Sequence, residues 1–227
     1  MYLILFDCDG TLIDSQLMIA EAMRRGFAKN GLEAPPTPEI LGIVGLSLGE
    51  AVGRLMRHAD AGLVEQVAGS YREAFFELRS DPAYHEPLYD GARKAVRRLG
   101  ERPDVLLGIA TGKSRRGVAA VLETHALDGI FVTIQTSDTH PSKPHPAMIE
   151  AGLREAGVEA DRCVIVGDTS YDMLMARSAG VTGFGVSWGY HAPDALTEAG
   201  AHEVLGHFDA LYPALEKRFG WEAVADD

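Results

Sequence analysis

Residues 2–12 read Tyr-Leu-Ile-Leu-Phe-Asp-Cys-Asp-Gly-Thr-Leu and contain the most informative pattern of the chain. The apolar run at their start predicts a buried β-strand that ends at Phe6. Asp7 and Asp9 follow at a spacing that can bring both carboxylates into one pocket. Burying like charges together is costly unless a cation or a shared proton relieves the repulsion. The stretch therefore favours a metal site after the first strand, although two aspartates that merely cap a turn would give the same pattern.

Outward from this stretch, short apolar runs alternate with amphipathic helical stretches. Near-continuous apolar strands separated by helices predict an α/β fold, a Rossmann-like, doubly wound parallel sheet covered on both faces. Ligands of such sheets bind beyond the carboxyl ends of the strands. The further strands are expected at Val105–Ala110, Ile130–Gln135, Cys163–Val166, Thr182–Val186 and, more weakly, Glu203–Leu205. The helices between them are expected at Ala92–Leu99, Arg115–Thr124, Pro146–Ala156, Tyr171–Ala179 and Pro193–Glu198.

One segment breaks the alternation. Between residues 15 and 84 the sequence contains helical patterns and no convincing strand, which predicts an inserted α-helical cap domain. Its helices are expected at Gln16–Asn30, Leu48–Arg57 and Gly62–Leu78. Residues 1–14 and 85–227 would then form the catalytic core. The acidic tail from Gly220 to Asp227 is expected to be partly disordered.

Three later segments place further polar groups after predicted strands. Thr111-Gly112-Lys113-Ser114 offers a hydroxyl and N–H groups at a helix start, where a phosphoryl oxygen could bind. Lys143 precedes a Pro-X-Pro sequence and is therefore expected in a loop. Asp168 and Asp172 flank a turn that opens a helix. Taken singly, the first segment could be an ordinary helix cap and the lysine a solvated surface charge.

Together the four segments resemble the haloacid-dehalogenase-like superfamily of hydrolases. The order Asp-X-Asp-X-Thr, then Thr after a second strand, then Lys, then Gly-Asp-X-X-X-Asp is present in full and covers nearly the whole chain. The helical insertion resembles the small α-helical cap of that family. Within the superfamily the chain looks most similar to the phosphoglycolate-phosphatase-like branch.

The resemblance implies a catalytic role for three residues. Asp7 would be the nucleophile that forms an aspartyl-phosphate, which water then hydrolyses. Asp9 would be the general acid and base, and its backbone carbonyl would be a metal ligand. Lys143 would offset the negative charge of the nucleophile and of the transferring group.

The resemblance also implies the binding residues and the cofactor. Thr111 and the N–H of Gly112 would hold phosphoryl oxygens. Mg²⁺ is a hard cation that prefers oxygen ligands, and Asp168 would bind it together with Asp7 and Asp9. Asp172 would complete the metal site through a water molecule or by orienting the cluster.

The insertion is expected to choose the substrate. In this family the corresponding loop faces the active site, which implicates Gly45 and Ser47, with Arg54 nearby as a candidate anion contact. Lys113 and the Arg115-Arg116 pair are interpreted as the opening and the solvated face of a helix. The expected partner is a small phosphorylated metabolite, with phosphoglycolate as the first candidate and a sugar phosphate, a nucleotide or pyrophosphate as others.

Four alternatives to a phosphatase can be weighed. A sugar phosphomutase would use the same Asp7 and Asp9, and nothing in the sequence separates it from a hydrolase. A dehalogenase is disfavoured because such family members lack the second aspartate, which is Asp9 here. A phosphonate hydrolase would need a cap lysine, and Lys29 lies at a polar helix end. A scaffold protein would have no need for the costly carboxylate cluster.

Composition narrows the partners and the compartment. The net charge of -12 disfavours binding to nucleic acid or to an anionic membrane surface. No apolar run approaches a membrane-spanning length. Cys8 and Cys163 lie in apolar runs and are expected to be small core residues rather than a disulfide. A cytoplasmic location is therefore expected.

Overall fold

A computed structural model describes residues 1–221, and these contain a six-stranded sheet in which every neighbouring pair is parallel. The strand order is β3-β2-β1-β4-β5-β6. The second and third strands along the chain lie on one side of β1, and the fourth to sixth lie on the other side. This is the doubly wound arrangement that the sequence predicts. The strands are β1 (Tyr2–Phe6), β2 (Val105–Thr111), β3 (Phe131–Thr136), β4 (Cys163–Gly167), β5 (Thr182–Val186) and β6 (Glu203–Leu205).

Helices cover both faces of the sheet, because the side chains of each buried strand alternate between two apolar clusters. In β1, Ile4 and Phe6 face one cluster, which includes α5, α6 and α10. Leu3 and Leu5 face the other, which includes α7 and α8. Counting the four helices of the insertion first, the core helices are α5 (Ala92–Gly100), α6 (Arg115–Thr124), α7 (Ala147–Ala156), α8 (Ser170–Ala179), α9 (Pro193–Glu198) and α10 (Leu211–Phe219).

The insertion between β1 and β2 is helical, as predicted, and its helices pack around an apolar cluster of their own. Its helices are α1 (Gln16–Lys29), α2 (Thr37–Leu41), α3 (Leu48–Leu55) and α4 (Ala61–Leu78). The boundaries of a separate domain at residues 15–84 remain a prediction.

Two helices, α2 and α10, were not predicted from the sequence. Both contain a proline in the first turn, Pro38 in α2 and Pro213 in α10. Proline interrupts a helical pattern in the sequence but is tolerated in the first turn, where its missing N–H has no partner to lose.

The two cysteines confirm the sequence interpretation, since Cys8 and Cys163 are buried and unbridged. None of the helices described combines the length and the apolar content that crossing a bilayer requires. The tail that was expected to be disordered lies outside the described residues from position 222 onward.

Candidate active site

Three carboxylates meet beyond the carboxyl ends of the central strands. Asp7 directly follows β1, Asp168 follows β4, and Asp172 lies in the first turn of α8. Each offers one oxygen, and the three oxygens lie within 4.8 Å of one another. The exposed fraction of all three residues is 1% or less. A buried triple carboxylate is electrostatically costly, so its geometry must be held by surrounding contacts.

Hydrogen bonds fix the orientation of each carboxylate. Asp7 Oδ1 accepts the N–H of Cys8 at 2.7 Å. Asp168 accepts the Thr11 hydroxyl at 2.8 Å and the N–H of Tyr190 at 2.9 Å. Asp172 Oδ2 accepts both the N–H and the hydroxyl of Thr169, at 3.1 and 2.6 Å, in a capping box that begins α8.

Two glycines make room for Asp168. A Cβ atom on Gly10 or on Gly189 would collide with the Asp168 side chain, and Gly10 also has a left-handed φ of 81°. Glycine is therefore required at Gly10 for both space and backbone conformation. Packing against Asp168 therefore explains why a glycine lies between Asp9 and Thr11 in the Asp-X-Asp-X-Thr motif.

Lys143 supplies the positive charge of the cluster. Its ammonium is fully buried and lies 2.8 Å from Asp7 Oδ2 and 2.6 Å from Asp172 Oδ1. Burial favours the neutral lysine, but the charges of Asp172 and Asp7 outweigh it, so the pKa of Lys143 is raised.

One ammonium does not neutralise three carboxylates. Burial raises the pKa of Asp7 from 3.8 to about 6, against the opposing effect of Lys143 and with repulsion from Asp172 adding to it. Burial, followed by the charges of Asp7 and Asp172, raises the pKa of Asp168 well above its usual value. The metal-free cluster therefore resists full ionisation.

These residues fit a hard divalent cation. Asp7 Oδ2 is buried and lacks a hydrogen bond of acceptable geometry, although the Lys143 ammonium lies beside it. The converging donors of Asp7, Asp168 and Asp172 are all oxygens, the ligand type that Mg²⁺ prefers. An added dication would relieve the repulsion that raises the two pKa values.

Thr111 and Gly112 form the neighbouring wall. Thr111 ends β2, is buried, and its hydroxyl accepts the N–H of Lys113 at 3.2 Å. A Cβ on Gly112 would lie 2.5 Å from the carbonyl oxygen of Gly45 and 2.6 Å from that of Leu46. The core and the insertion therefore meet at backbone-to-backbone distance beside the predicted phosphoryl site.

Asp9 is not part of the group of three converging carboxylates, although it lines the same cavity as Asp7. Its Oδ1 accepts the Ser15 hydroxyl at 2.6 Å and the Lys113 ammonium at 2.8 Å. Lys113 also donates to Glu86 at 2.8 Å, and the Tyr190 hydroxyl lies 3.0 Å from that of Ser15. The interpretation of Lys113 as a residue that only opens a helix was therefore wrong.

Residues of the insertion and of the core together line a cavity of about 450 Å³ at this edge of the sheet. Gly45 and Ser47 line it, and the N–H of Ser47 donates to the hydroxyl of Ser142 at 2.8 Å. Arg54 does not line it, because its guanidinium is directed to Glu50 and to the Tyr171 hydroxyl on a separate surface. The suggestion that Arg54 contacts the substrate was wrong.

The structure thus brings the predicted residues to one edge of the sheet, with Asp9 beside the acidic cluster rather than in it. Sequence reasoning missed the residues that hold them. Thr11 had a signal, since it is the threonine of the Asp-X-Asp-X-Thr motif, whereas nothing in the sequence distinguished the others. The missed residues are Thr11, Ser15, Glu86, Lys113, Thr169 and Tyr190.

The doubly wound sheet and the buried acidic cluster beyond its central strand define an α/β enzyme fold with a candidate cation site. A family model described as haloacid dehalogenase-like hydrolase matches residues 4–186. The chain belongs to this family, and the resemblance that the four motifs indicate is confirmed.

Similar proteins agree with this assignment. The chain is 29% identical over 216 residues to "Probable phosphatase IndB" of Dickeya dadantii (strain 3937), covering 93% of this chain and 92% of that protein. It is 30% identical over 214 residues to a phosphoglycolate phosphatase of Pseudomonas savastanoi pv. phaseolicola, covering 93% of this chain and 78% of that protein. The crystal structure of a hydrolase from Pseudomonas syringae superposes with a TM-score of 0.83 at 25% identity, covering 96% and 99% of the two chains. These relatives support an enzyme of the phosphatase class.

Proposed function

We propose that this hydrolase is a Mg²⁺-dependent phosphatase that removes the phosphoryl group of a small phosphomonoester through a covalent intermediate on Asp7. The observation that carries the proposal is the buried contact of Asp7 with Lys143, next to Asp168, where Asp7 also lines a cavity of about 450 Å³. Relatives include a phosphoglycolate phosphatase, so phosphoglycolate is the first substrate to test.

Asp7 is the proposed nucleophile. The Cys8 N–H holds Oδ1 and the Lys143 ammonium lies 2.8 Å from Oδ2, so the carboxylate that would attack phosphorus is held in a fixed orientation. Attack forms a bond between Asp7 and phosphorus and breaks the bond from phosphorus to the leaving oxygen. Water then attacks the aspartyl-phosphate, releasing inorganic phosphate and the free carboxylate.

Asp9 is the proposed general acid and base. Ser15 and Lys113 hold its Oδ1, so the other oxygen can face the reacting group. In the first step Asp9 gives a proton to the leaving alkoxide. In the second it accepts a proton from the attacking water, which restores its starting state.

The remaining groups would bind the oxygens of the transferring phosphoryl group and compensate its negative charge. Thr111 and the Gly112 N–H would donate to its oxygens, and Lys143 would compensate its negative charge. Mg²⁺ bound by Asp7, Asp168, Asp172 and the Asp9 carbonyl would supply the positive charge that lets phosphate oxygens approach the acidic cluster.

The insertion is proposed to act as a cap. Gly45 and Ser47 would contact the substrate from above, and closure over Gly112 would exclude water from the reacting atoms. A small phosphorylated metabolite as substrate and a cytoplasmic location belong to the same proposal.

Phosphate release from a panel of phosphomonoesters tests the proposal, with Mg²⁺ and with EDTA. Asp7→Asn removes the nucleophile at constant size, and the matched control is Asp128→Asn at an exposed position. We expect Mg²⁺-dependent turnover in the wild type and the control but not in Asp7→Asn. Phosphate release that continues in EDTA or with Asp7→Asn would contradict the proposal.

The same panel separates a sugar phosphomutase from a phosphatase. A mutase would convert one phosphosugar into its isomer without releasing phosphate in proportion. Chromatography of the sugar products beside the phosphate assay therefore distinguishes the two reactions, which use the same Asp7.

A further inference from the structure

The cavity next to Asp7 carries two guanidinium groups that none of the proposed catalytic steps uses. Arg79 lies at the end of α4 in the insertion, and Arg116 lies in the first turn of α6 in the core. Both line the cavity. In residues 1–221 neither forms an ion pair with a carboxylate. Arg79 and Arg116 are called the arginine pair below.

The other basic side chains of the lining already have acidic partners. Arg72 lies 2.9 Å from Glu65. Lys113 is shared between Asp9 and Glu86. The arginine pair therefore supplies the positive charge of the lining that internal ion pairs leave uncompensated.

The acidic side chains of the lining do not face the pair as ion-pair partners. Asp7 is in contact with Lys143, and Asp9 with Lys113. Asp138 accepts the backbone N–H of Arg115 at 2.6 Å. Arg79 donates to the backbone carbonyl of Gly117 at 3.4 Å, so an anion bound by the arginine pair would compete with one neutral acceptor but would displace no carboxylate.

Aromatic rings of α4 lie against Lys113 and against both members of the arginine pair. The Lys113 ammonium lies 5.0 Å from the centre of the Phe75 ring, and the Arg79 guanidinium lies 5.8 Å from the same centre. Arg116 lies 4.8 Å from the centre of the Phe76 ring. A path from Asp9 to Arg79 therefore runs past Lys113 and across Phe75.

The size of the cavity agrees with this arrangement. Its volume of about 450 Å³ lies in the range typical of sites for ligands larger than a two-carbon phosphate ester. A ligand with its phosphoryl group at Asp7 can place apolar carbon on Phe75 and still extend to the arginine pair.

We propose that the substrate is a phosphomonoester whose carbon body carries a second anionic group, a carboxylate or a phosphate, that binds Arg79 and Arg116 while the body packs against Phe75. The inference rests on the proposed phosphatase function and specifies its substrate class. Because Arg79 lies against Phe75 and Arg116 against Phe76, a body longer than two carbons would reach the pair better, and phosphoglycolate is then expected to be a poorer substrate than its longer homologues.

Matched substrates test the proposal. Linear alkyl phosphates of increasing length are compared with equally long phosphates that end in a carboxylate and with those that end in a second phosphate. The value of kcat/KM is measured with Mg²⁺ for the wild type, Arg79→Gln and Arg116→Gln. The control is Arg115→Gln, whose guanidinium donates to the Ile134 carbonyl outside the cavity. The two charged series distinguish a carboxylate from a phosphate as the second anion.

We expect the wild type to prefer a charged tail, with an optimum at a body longer than two carbons. Each arginine substitution should lower kcat/KM for tailed substrates by roughly tenfold, the usual effect of one lost charge-assisted hydrogen bond. The substitutions should affect neutral alkyl phosphates much less, and Arg115→Gln should leave the preference unchanged. A preference for neutral tails, or an equal loss for both series, would overturn the proposal.

A binding measurement keeps the two proposals distinguishable. If no compound releases phosphate, the phosphatase proposal fails, and calorimetric titration of the same compounds into Asp7→Asn still tests the anion site. Tighter binding of tailed compounds that Arg79→Gln abolishes would support the site. An affinity that depends neither on the charged tail of the compound nor on Arg79 would refute it.

Discussion

The Nζ atom of Lys113 lies 2.8 Å from the Oδ1 atom of Asp9, in a contact that is almost closed to solvent. The exposed fractions of the two side chains are 6% and 11%. Lys113 lies two positions after Thr111, and its ammonium reaches Asp9 of the Asp-X-Asp-X-Thr motif. The pair therefore links the proposed general acid to the strand that carries Thr111.

Substitution of Lys113 should destabilise the protein and also lower its catalytic rate. Lys113→Met leaves the buried carboxylates of Asp9 and Glu86 without their cation, and removing one partner of a buried ion pair typically costs about 3–5 kcal/mol. Denaturant unfolding should show a loss of this order in the free energy of unfolding.

A double variant provides the control. Glu86→Gln on the Lys113→Met background removes one of the two stranded charges, so it should recover part of the lost stability. Purely additive losses in the double variant would contradict the electrostatic explanation.

Removal of Lys143 should make the stability of the protein depend on Mg²⁺. Lys143→Met leaves Asp7, Asp168 and Asp172 without a neutralising ammonium, at a cost of about 3–5 kcal/mol in EDTA. Because Mg²⁺ binds the folded state, it should raise the melting temperature more in this variant than in the wild type. Lys94→Met, at an exposed position, is the control and should respond like the wild type. Equal Mg²⁺ responses in Lys143→Met and the wild type would argue against a cation site at this cluster.

The free energy of unfolding of the metal-free protein should depend on pH in a way that reflects the protonation of Asp7. Burial raises the pKa of this carboxyl from 3.8 to about 6, so the folded state binds its proton more tightly than the unfolded state. The contribution of Asp7 to the free energy of unfolding is therefore present below about pH 4 and is lost as the pH rises through about 6.

Other carboxyls also contribute to the change of stability with pH, so the readout is a difference between two proteins. Asp104, for example, has a lowered pKa because Arg102 donates to it, and its contribution has the opposite sign. We expect the stability of the wild type relative to Asp7→Asn, measured in EDTA, to fall as the pH rises through this window. A difference that is flat or that rises would contradict the assignment.

Contact between the core and the insertion should depend on Gly112. In Gly112→Ala the new methyl group would lie 2.5 Å from the carbonyl oxygen of Gly45, so the loop of the insertion must move away. Small displacements of positioning groups can cost on the order of 10²-fold in rate, and we expect a loss of kcat/KM approaching this size.

The matched control for this substitution is Gly69→Ala in α4. A Cβ at Gly69 meets no atom within 4 Å, so the alanine should stabilise the helix by about 1 kcal/mol and leave kcat/KM unchanged. Full activity of Gly112→Ala would show that the closed contact is not needed for turnover.

The sequence was sufficient for the elements that carry local signals. All six strand predictions agree with the structure to within one residue at either end, because each strand is an apolar run bounded by turn residues. Asp7, Thr111 and Asp168 were located because each lies at or just after the end of such a strand, and parallel topology then brings the strand ends together.

The sequence was insufficient where a role depends on a distant partner. Lys113 acquires its role from Glu86 and Asp9, which are separated from it by 27 and 104 positions. Arg54 appeared to be near the substrate because it follows Ser47 by seven positions in the chain. In the structure α3 directs its guanidinium to Glu50 and Tyr171 instead.

The nucleophilic role of Asp7 is tested most directly by locating the phosphoryl group during turnover. The protein is mixed with Mg²⁺ and its best substrate, quenched in acid within one turnover, and digested for peptide mass spectrometry. We expect a phosphorylated peptide in which Asp7 carries the phosphoryl group, and no such peptide from Asp7→Asn. Phosphate release that proceeds with the phosphoryl group on another residue, or that continues in Asp7→Asn, would contradict this role.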